Sequence, residues 1–227
     1  MISKKCRDDG ADTICNILPY MAYARQDRAF VEDEFPTMAL IAELCEPVGT
    51  KRIFALDIHS SKALSYFTIE TINISSIPIL AEYVKSNLHL DKPIAVSPDI
   101  GGRKRVEDFS QLLNIDFITL EKKRDRYSGE VFIDERNIPD IVAKRDIVIL
   151  DDIISTGSSV IKATEVLRKK GSGKIYVLCT HSLMANDNFI KILGAGVENI
   201  ISTNSVPNRV AKIDIAPTIA SCICNRR

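Results

Sequence analysis

Charge of either sign is missing in excess from this 227-residue chain: Lys and Arg together number 30, and so do Asp and Glu. A formal net charge of zero argues against a protein whose main business is coating nucleic acid or an anionic membrane. Any positive charge that matters has to be clustered locally. No apolar run approaches the length that spans a bilayer. The start, Met1-Ile2-Ser3-Lys4-Lys5-Cys6, is charged and lacks an apolar stretch behind it, so it is not read as a secretory signal. Cys222-Ile-Cys224 has a spacing that suits a metal or a bridge, but no second Cys/His pair completes a zinc set. The cysteines are therefore expected as reduced thiols, with Cys15 and Cys179 in the core, and the chain as a soluble cytoplasmic protein. Internal repeats and low-complexity segments are missing too. With 45% apolar and 26% charged residues, disorder is excluded, and the length suits one large domain or two small ones.

What is present is an alternation of short apolar runs with helical patterns. Strands are expected at Thr13–Leu18, Arg52–Leu56, Ile69–Ile74, Pro93–Ser97, Asp116–Leu120, Asp146–Leu150, Lys174–Cys179, Glu198–Ser202 and Lys212–Ile215. Several are unbroken apolar runs, as in a parallel sheet covered on both faces. Helices are expected at Thr37–Pro47, Ile77–Leu88, Arg103–Leu113, Ser158–Lys170 and Asn186–Leu193, the fourth stopped by Gly171-Ser-Gly173. This is an α/β pattern with right-handed crossovers, and a break between two sub-domains is placed near Asn73–Ile77 without a Pro/Gly-rich linker. Glu121 to Arg136 fits no element and is expected to be a functional loop.

The sharpest local signal follows the apolar run Ile147–Leu150. It reads Asp151-Asp152-Ile153-Ile154-Ser155-Thr156-Gly157-Ser158-Ser159 and opens a helix. Ligands of open parallel sheets bind outside the carboxyl ends of strands. Small residues and hydroxyls at a helix N-terminus suit a phosphate, Gly157 permits a bend or a close approach, and the acids suit sugar hydroxyls or a metal-bound ligand. The plainer alternative is a capped βα turn.

Four other segments are dense in functional groups. Tyr23-Ala-Arg25-Gln26-Asp27-Arg28 offers cations for phosphate and rings or guanidinium groups for a base, or else a solvated Arg–Asp pair. Asp57-Ile-His59 suits either a Mg²⁺ site or a satisfied hydrogen bond. Ser97-Pro-Asp99-Ile-Gly-Gly-Arg103-Lys104-Arg105 puts two glycines and three cations at a helix start. Cations are disfavoured there by the dipole, so an anionic ligand nearby is expected. Glu121-Lys122-Lys123-Arg124 reads as a solvated charge run or as part of a loop acting on substrate.

Asp151 to Ser159 resembles the ribose-phosphate signature of the type I phosphoribosyltransferase fold. It departs from it at Ser158, where Gly is commoner, and at Ser155, where many relatives carry a third Asp. Tyr23 to Arg28, Asp57 to His59, Ser97 to Arg105, Glu121 to Arg124 and Ile213-Asp-Ile-Ala-Pro217 resemble, in order, segments of the ribose-phosphate pyrophosphokinases (PRPP synthetases), from about residue 13 to about 220. The resemblance implies transfer of the diphosphoryl group of ATP to the 1-hydroxyl of ribose 5-phosphate, with Mg²⁺, giving PRPP and AMP. It implies catalytic roles for Lys122 and Arg124, ATP binding by Arg25 and Gln26, and a metal at His59 and Asp99. It implies ribose 5-phosphate binding by Arg124, Asp151, Asp152, Ser155, Thr156, Gly157, Ser158 and Ser159. The implied fold is α/β, with two type I phosphoribosyltransferase-like parallel-sheet domains: residues 1–74 joined by 217–227, and residues 75–216. The first is expected to be incomplete, because Met1–Asp12 is too short for the βα units that open the family. ATP and ribose 5-phosphate are the implied partners, with no nucleic acid or membrane, in a homo-oligomer of two or more chains. The competing expectations are a non-catalytic or regulatory homologue and a phosphoribosyltransferase that consumes PRPP.

Overall fold

Runs of Ile, Val and Leu that are hidden on both faces dictate the architecture. The computed structural model describes residues 1–29, 32–124 and 131–225, with backbone alone at residues 123, 124 and 131. The chain divides into two compact units, one made of Met1–Ser75 and the chain from Ile219 onward, the other of Ser76–Thr218.

The first unit contains α1 (Ile2–Asp8), β1 (Ile14–Leu18), α2 (Thr37–Cys45), β2 (Thr50–Leu56), α3 (Ser61–Leu64) and β3 (Glu70–Ile74). Its sheet has the order β1-β2-β3 and is parallel throughout, with Ile17 opposite Phe54 and Phe54 opposite Ile72. Met38 and Ala42 of α2 pack on Ile53 and Ala55 of β2 and on Phe67. Cys15, expected in the core, is exposed. It lies on an edge strand where only alternate residues are covered: Ile14 is buried, and Cys15 and Ile17 face outward. Helix α1 buries no residue and so carries no apolar period in the sequence. Its ion pairs Lys4–Asp8 and Lys5–Asp9, one turn apart, support it instead.

The second unit contains α4 (Ile77–Asn87), β4 (Ile94–Ser97), α5 (Arg103–Leu113), β5 (Asp116–Thr119), β6 (Lys122–Arg124), β7 (Val131–Ile133), β8 (Ile147–Ile154), α6 (Ser158–Lys169), β9 (Ile175–Ser182), α7 (Asn186–Gly194), β10 (Asn199–Thr203), β11 (Ala211–Ile213) and the start of α8 (Ala216–Cys224). Its six-stranded sheet, β11-β10-β9-β8-β4-β5, is parallel throughout. Alternate residues supply two cores. Val96, Ile149 and Val177 pack with Val160, Ala163 and Leu167 of α6 on one face. Ala95, Val148 and Leu178 pack with Leu80 and Val84 of α4 and Phe109 of α5 on the other.

Two expectations are corrected here. The stretch from Glu121 to Arg136 is not irregular throughout, since β6 and β7 form an antiparallel ribbon with Lys122 opposite Ile133. Each strand has three residues, all charged in β6 and all apolar in β7, so neither shows the alternation that would mark it. Strand β8 does not stop at Leu150 but runs through the acid pair to Ile154, with Asp151 opposite Cys179. The neighbouring strand β9 likewise ends in buried polar residues, and Thr180 is held by Ser76 (Oγ to Oγ1, 2.8 Å) and by Thr203, which donates to the Thr180 carbonyl at 2.6 Å.

Candidate active site

The order of strands in the second unit fixes where a ligand goes. Strand β5 lies on one side of β4 and β8 on the other, so the direction of winding reverses between β4 and β8. Crossovers leave the sheet in opposite senses there, and a crevice opens outside the carboxyl ends of both strands. Asp99 follows β4, and Asp151 and Asp152 lie near the end of β8.

Beyond β4 the backbone is tightly folded. Ser97 Oγ donates to the Asp99 carbonyl at 2.7 Å. A Cβ on Gly102 would meet Ser97 Oγ at 2.3 Å, so glycine is required there by contact. The chain then enters α5 through Arg103-Lys104-Arg105. The sequence reading took these cations to call for an anionic ligand, but two of them find partners in the chain itself. Lys104 Nζ pairs with Asp108 at 2.7 Å. Arg105 turns inward to the acids of β8, with Nη1 3.9 Å from Asp151 Oδ1 and Nη2 3.5 Å from Asp152 Oδ2.

The acid pair differs in access. The Asp152 side chain is 4% exposed and that of Asp151 17%. The Asp152 N–H donates to Asp151 Oδ1 at 2.9 Å. Burial first, then repulsion and hydrogen bonding from Asp152, push the Asp151 carboxyl up to about 7, with Asp99 adding to the rise and Arg105 opposing it. Beneath the pair, Cys179 is fully buried, and desolvation aided by the two carboxylates drives its thiol far up. It is an inert core thiol, as expected from the sequence.

After β8 the loop Ser155–Ser159 enters α6. Gly157, the residue that caps α6, has φ 77° and offers no side chain to the first turn. A Cβ there would stand 2.4 Å from Ile192 Cδ1, so both conformation and contact select glycine. Thr156 Oγ1 and Ser158 Oγ lie 3.1 Å apart, and both residues are exposed. Asn188 of α7 holds the loop from behind, its Nδ2 donating to the Ser155 carbonyl at 3.2 Å. A helix start whose capping residue has no side chain, flanked by exposed hydroxyls, is an anion-binding arrangement.

The ribbon meets this crevice through Lys122. Its Nζ donates to Asp99 Oδ2 and to Ser159 Oγ, both at 2.8 Å. One ammonium therefore joins the loop after β4 to the first turn of α6. The structure thus gathers Asp99, Lys122, Asp151, Asp152 and Ser155 to Ser159 in one unit. The Arg124 side chain lies outside what is described.

Arg25, Gln26 and His59 stand in the first unit. All three are exposed. The Gln26 N–H donates to the Tyr23 carbonyl at 2.8 Å, and its Oε1 accepts from Thr37 Oγ1 at 2.8 Å. His59 follows β2 in a turn that begins with Asp57 at φ 37° and ends at Ser60, whose Oγ caps α3. Among the described residues, no group of three or more His, Cys, Asp and Glu side chains is assembled for a metal. Arg105 stood in the sequence as a cation at a disfavoured helix start, within a segment that resembles the family, but had no role there, and Asn188 had no signal short of the fold.

Comparison with known proteins follows the same lines. A family model described as the phosphoribosyl synthetase-associated domain matches residues 136–223. The chain is 34% identical over 224 residues to a ribose-phosphate pyrophosphokinase of Sulfurisphaera tokodaii, covering 97% of this chain and 76% of that protein. It is 32% identical over 220 residues to a ribose-phosphate pyrophosphokinase of Methanopyrus kandleri, covering 96% and 74%. A crystal structure of phosphoribosylpyrophosphate synthetase from Mycobacterium smegmatis has the same fold, with a TM-score of 0.85 and 23% identity over 99% of this chain and 75% of that one. With a third of its residues shared along nearly its whole length, the chain belongs to the ribose-phosphate pyrophosphokinase family.

Proposed function

We propose that this chain is a ribose-phosphate diphosphokinase. The 1-hydroxyl oxygen of ribose 5-phosphate attacks the β-phosphorus of ATP, the bond from that phosphorus to the α,β-bridging oxygen breaks, AMP leaves with that oxygen, and the hydroxyl proton passes to solvent. The products are PRPP and AMP. The observation that carries the reading is the pair of hydrogen bonds that Lys122 donates to Asp99 and to Ser159. It supports a cation placed between a carboxylate suited to the nucleotide's metal and a loop suited to the sugar's phosphate.

Phosphoryl transfer needs in-line placement and neutralisation of charge more than covalent help. Lys122 stabilises the charge on the group in transfer. Arg124 joins it, from the ribose-phosphate side. Ser155 to Ser159 wrap the 5-phosphate with hydroxyls and backbone N–H groups. Asp151, the more accessible acid, accepts from the ribose hydroxyls, with Asp152 behind it. Arg25 and Gln26 hold ATP.

Asp99 suits Mg²⁺ by its donor chemistry: a carboxylate, 41% exposed, at a strand end, with Lys122 on its Oδ2. His59, an imidazole, suits a water-mediated contact to the same kind of ion. When bound, Mg²⁺ supplies neutralisation of the phosphate oxygens of ATP.

Among the described residues no helix is long and apolar enough to cross a membrane. The six cysteines stand as free thiols, which supports a reducing compartment, the cytoplasm. By family likeness the chain works as a homo-oligomer of two or more copies, taking ATP and ribose 5-phosphate and neither nucleic acid nor membrane. The experiment is a label in the β-phosphate of ATP. The reaction requires the label in the diphosphate carried by the 1-oxygen of the ribose. Label released as free phosphate, or carried into ADP, refutes the reading.

A further inference from the structure

Arg105 is the third residue of α5, where the helix dipole disfavours a cation. Its side chain is nevertheless 18% exposed and reaches both acids of β8, at 3.9 Å to Asp151 and 3.5 Å to Asp152. Gly102 leaves room for it: a Cβ at that position would lie 3.3 Å from Arg105 Nη1 as well as against Ser97. Asp151 is thus faced by like charge from Asp152 on its own strand and from Asp99 after β4, by the Cys179 thiol from β9, and by opposite charge from Arg105 on α5.

We propose that Arg105 is a positioning residue for ribose 5-phosphate. Its guanidinium spans the acid pair, offsets one of the two negative charges, and fixes the carboxylates so that Asp151 turns accepting oxygens to the sugar hydroxyls. The proposal rests on the sugar-binding role given above to Asp151. A planar fork reaches two carboxylates at once, whereas an ammonium is a single point of charge. Asp152, the deeper acid, supplies the second anchor and has little access to a ligand.

The test is calorimetric titration of the full chain with ribose 5-phosphate. Arg105→Gln is expected to weaken binding by at least about tenfold, the scale of one charge-assisted contact. Arg105→Lys is expected to recover only part of that loss, because the charge returns without the fork. Adding Asp152→Asn to Arg105→Gln is expected to recover it as well, because the unbalanced charge is removed. A folded Arg105→Gln protein with wild-type affinity overturns the proposal. So does a loss that neither the lysine nor the double variant recovers. Should Arg105→Gln alone fail to fold, the lysine and double variants decide the matter: near wild-type binding in the double variant supports the role, and weak binding in both overturns it. A wild-type chain that does not bind ribose 5-phosphate overturns the sugar-binding reading itself, which is a separate outcome.

Discussion

Lys122 of the ribbon and Ser159 of helix α6 are joined by a hydrogen bond of 2.8 Å from Nζ to Oγ. The same Nζ also meets Asp99 at 2.8 Å, so the ribbon is tied to both sides of the crevice at the β4/β8 reversal. A long side chain loses rotamer freedom when held in this way, and two charge-assisted contacts offset that loss.

Lys122→Ala is expected to lower kcat by about 10²- to 10³-fold, the usual cost of removing one preorganised donor from a transition state. The KM for ribose 5-phosphate should move far less. Steady-state kinetics in both substrates check this, and an unchanged kcat removes Lys122 from the mechanism.

Asp151→Asn is expected to act on the sugar instead. An amide nitrogen facing hydroxyls that need acceptors should weaken ribose 5-phosphate by about tenfold or more, with little effect on ATP. A normal ribose 5-phosphate titration would sink the role.

Asp151 also gives stability a pH dependence of defined sign. Its carboxyl rises from an ordinary 3.8 to about 7 in the fold, so between those values the folded chain holds a proton that the unfolded chain has lost. The stabilisation is full below the lower value and is lost as pH rises through the upper one. Urea unfolding at pH 4, 5, 6, 7 and 8 should therefore show wild type losing stability relative to Asp151→Asn as pH rises. Parallel profiles for the two proteins would contradict this.

Gly157→Ala combines a left-handed backbone at φ 77° with a collision 2.4 Å from Ile192 Cδ1. Thermal unfolding should report a loss of about 1–3 kcal/mol, and the phosphate loop should bind ribose 5-phosphate more weakly. A variant as stable as wild type would show that the turn has another conformation within reach.

The legible parts of the fold are those where burial and period agree. Arg103–Leu113 forms the helix expected from its pattern, because Val106 and Phe109 mark one buried face. The strands expected at Thr13–Leu18 and Arg52–Leu56 form as Ile14–Leu18 and Thr50–Leu56. The reading failed where polar residues complete a strand. Asp151 and Asp152 continue β8 because neighbouring strands pair with its backbone whatever the side chains are, and no run of apolar residues announces that. Asp99 and the loop from Ser155 to Ser159 were marked by residue type and place along the chain, whereas Lys122 stood in a run that reads as solvated charge and was marked only by the resemblance. That Arg105 turns to the acids of β8 was not legible, since its disfavoured place in the helix start names a need for negative charge but not its source.

The central claim is tested most directly by AMP release from ATP in Mg²⁺ buffer, measured with and without ribose 5-phosphate on this chain. The account requires AMP that appears only when the sugar phosphate is present. No AMP in either mixture, or the same AMP in both, would contradict it.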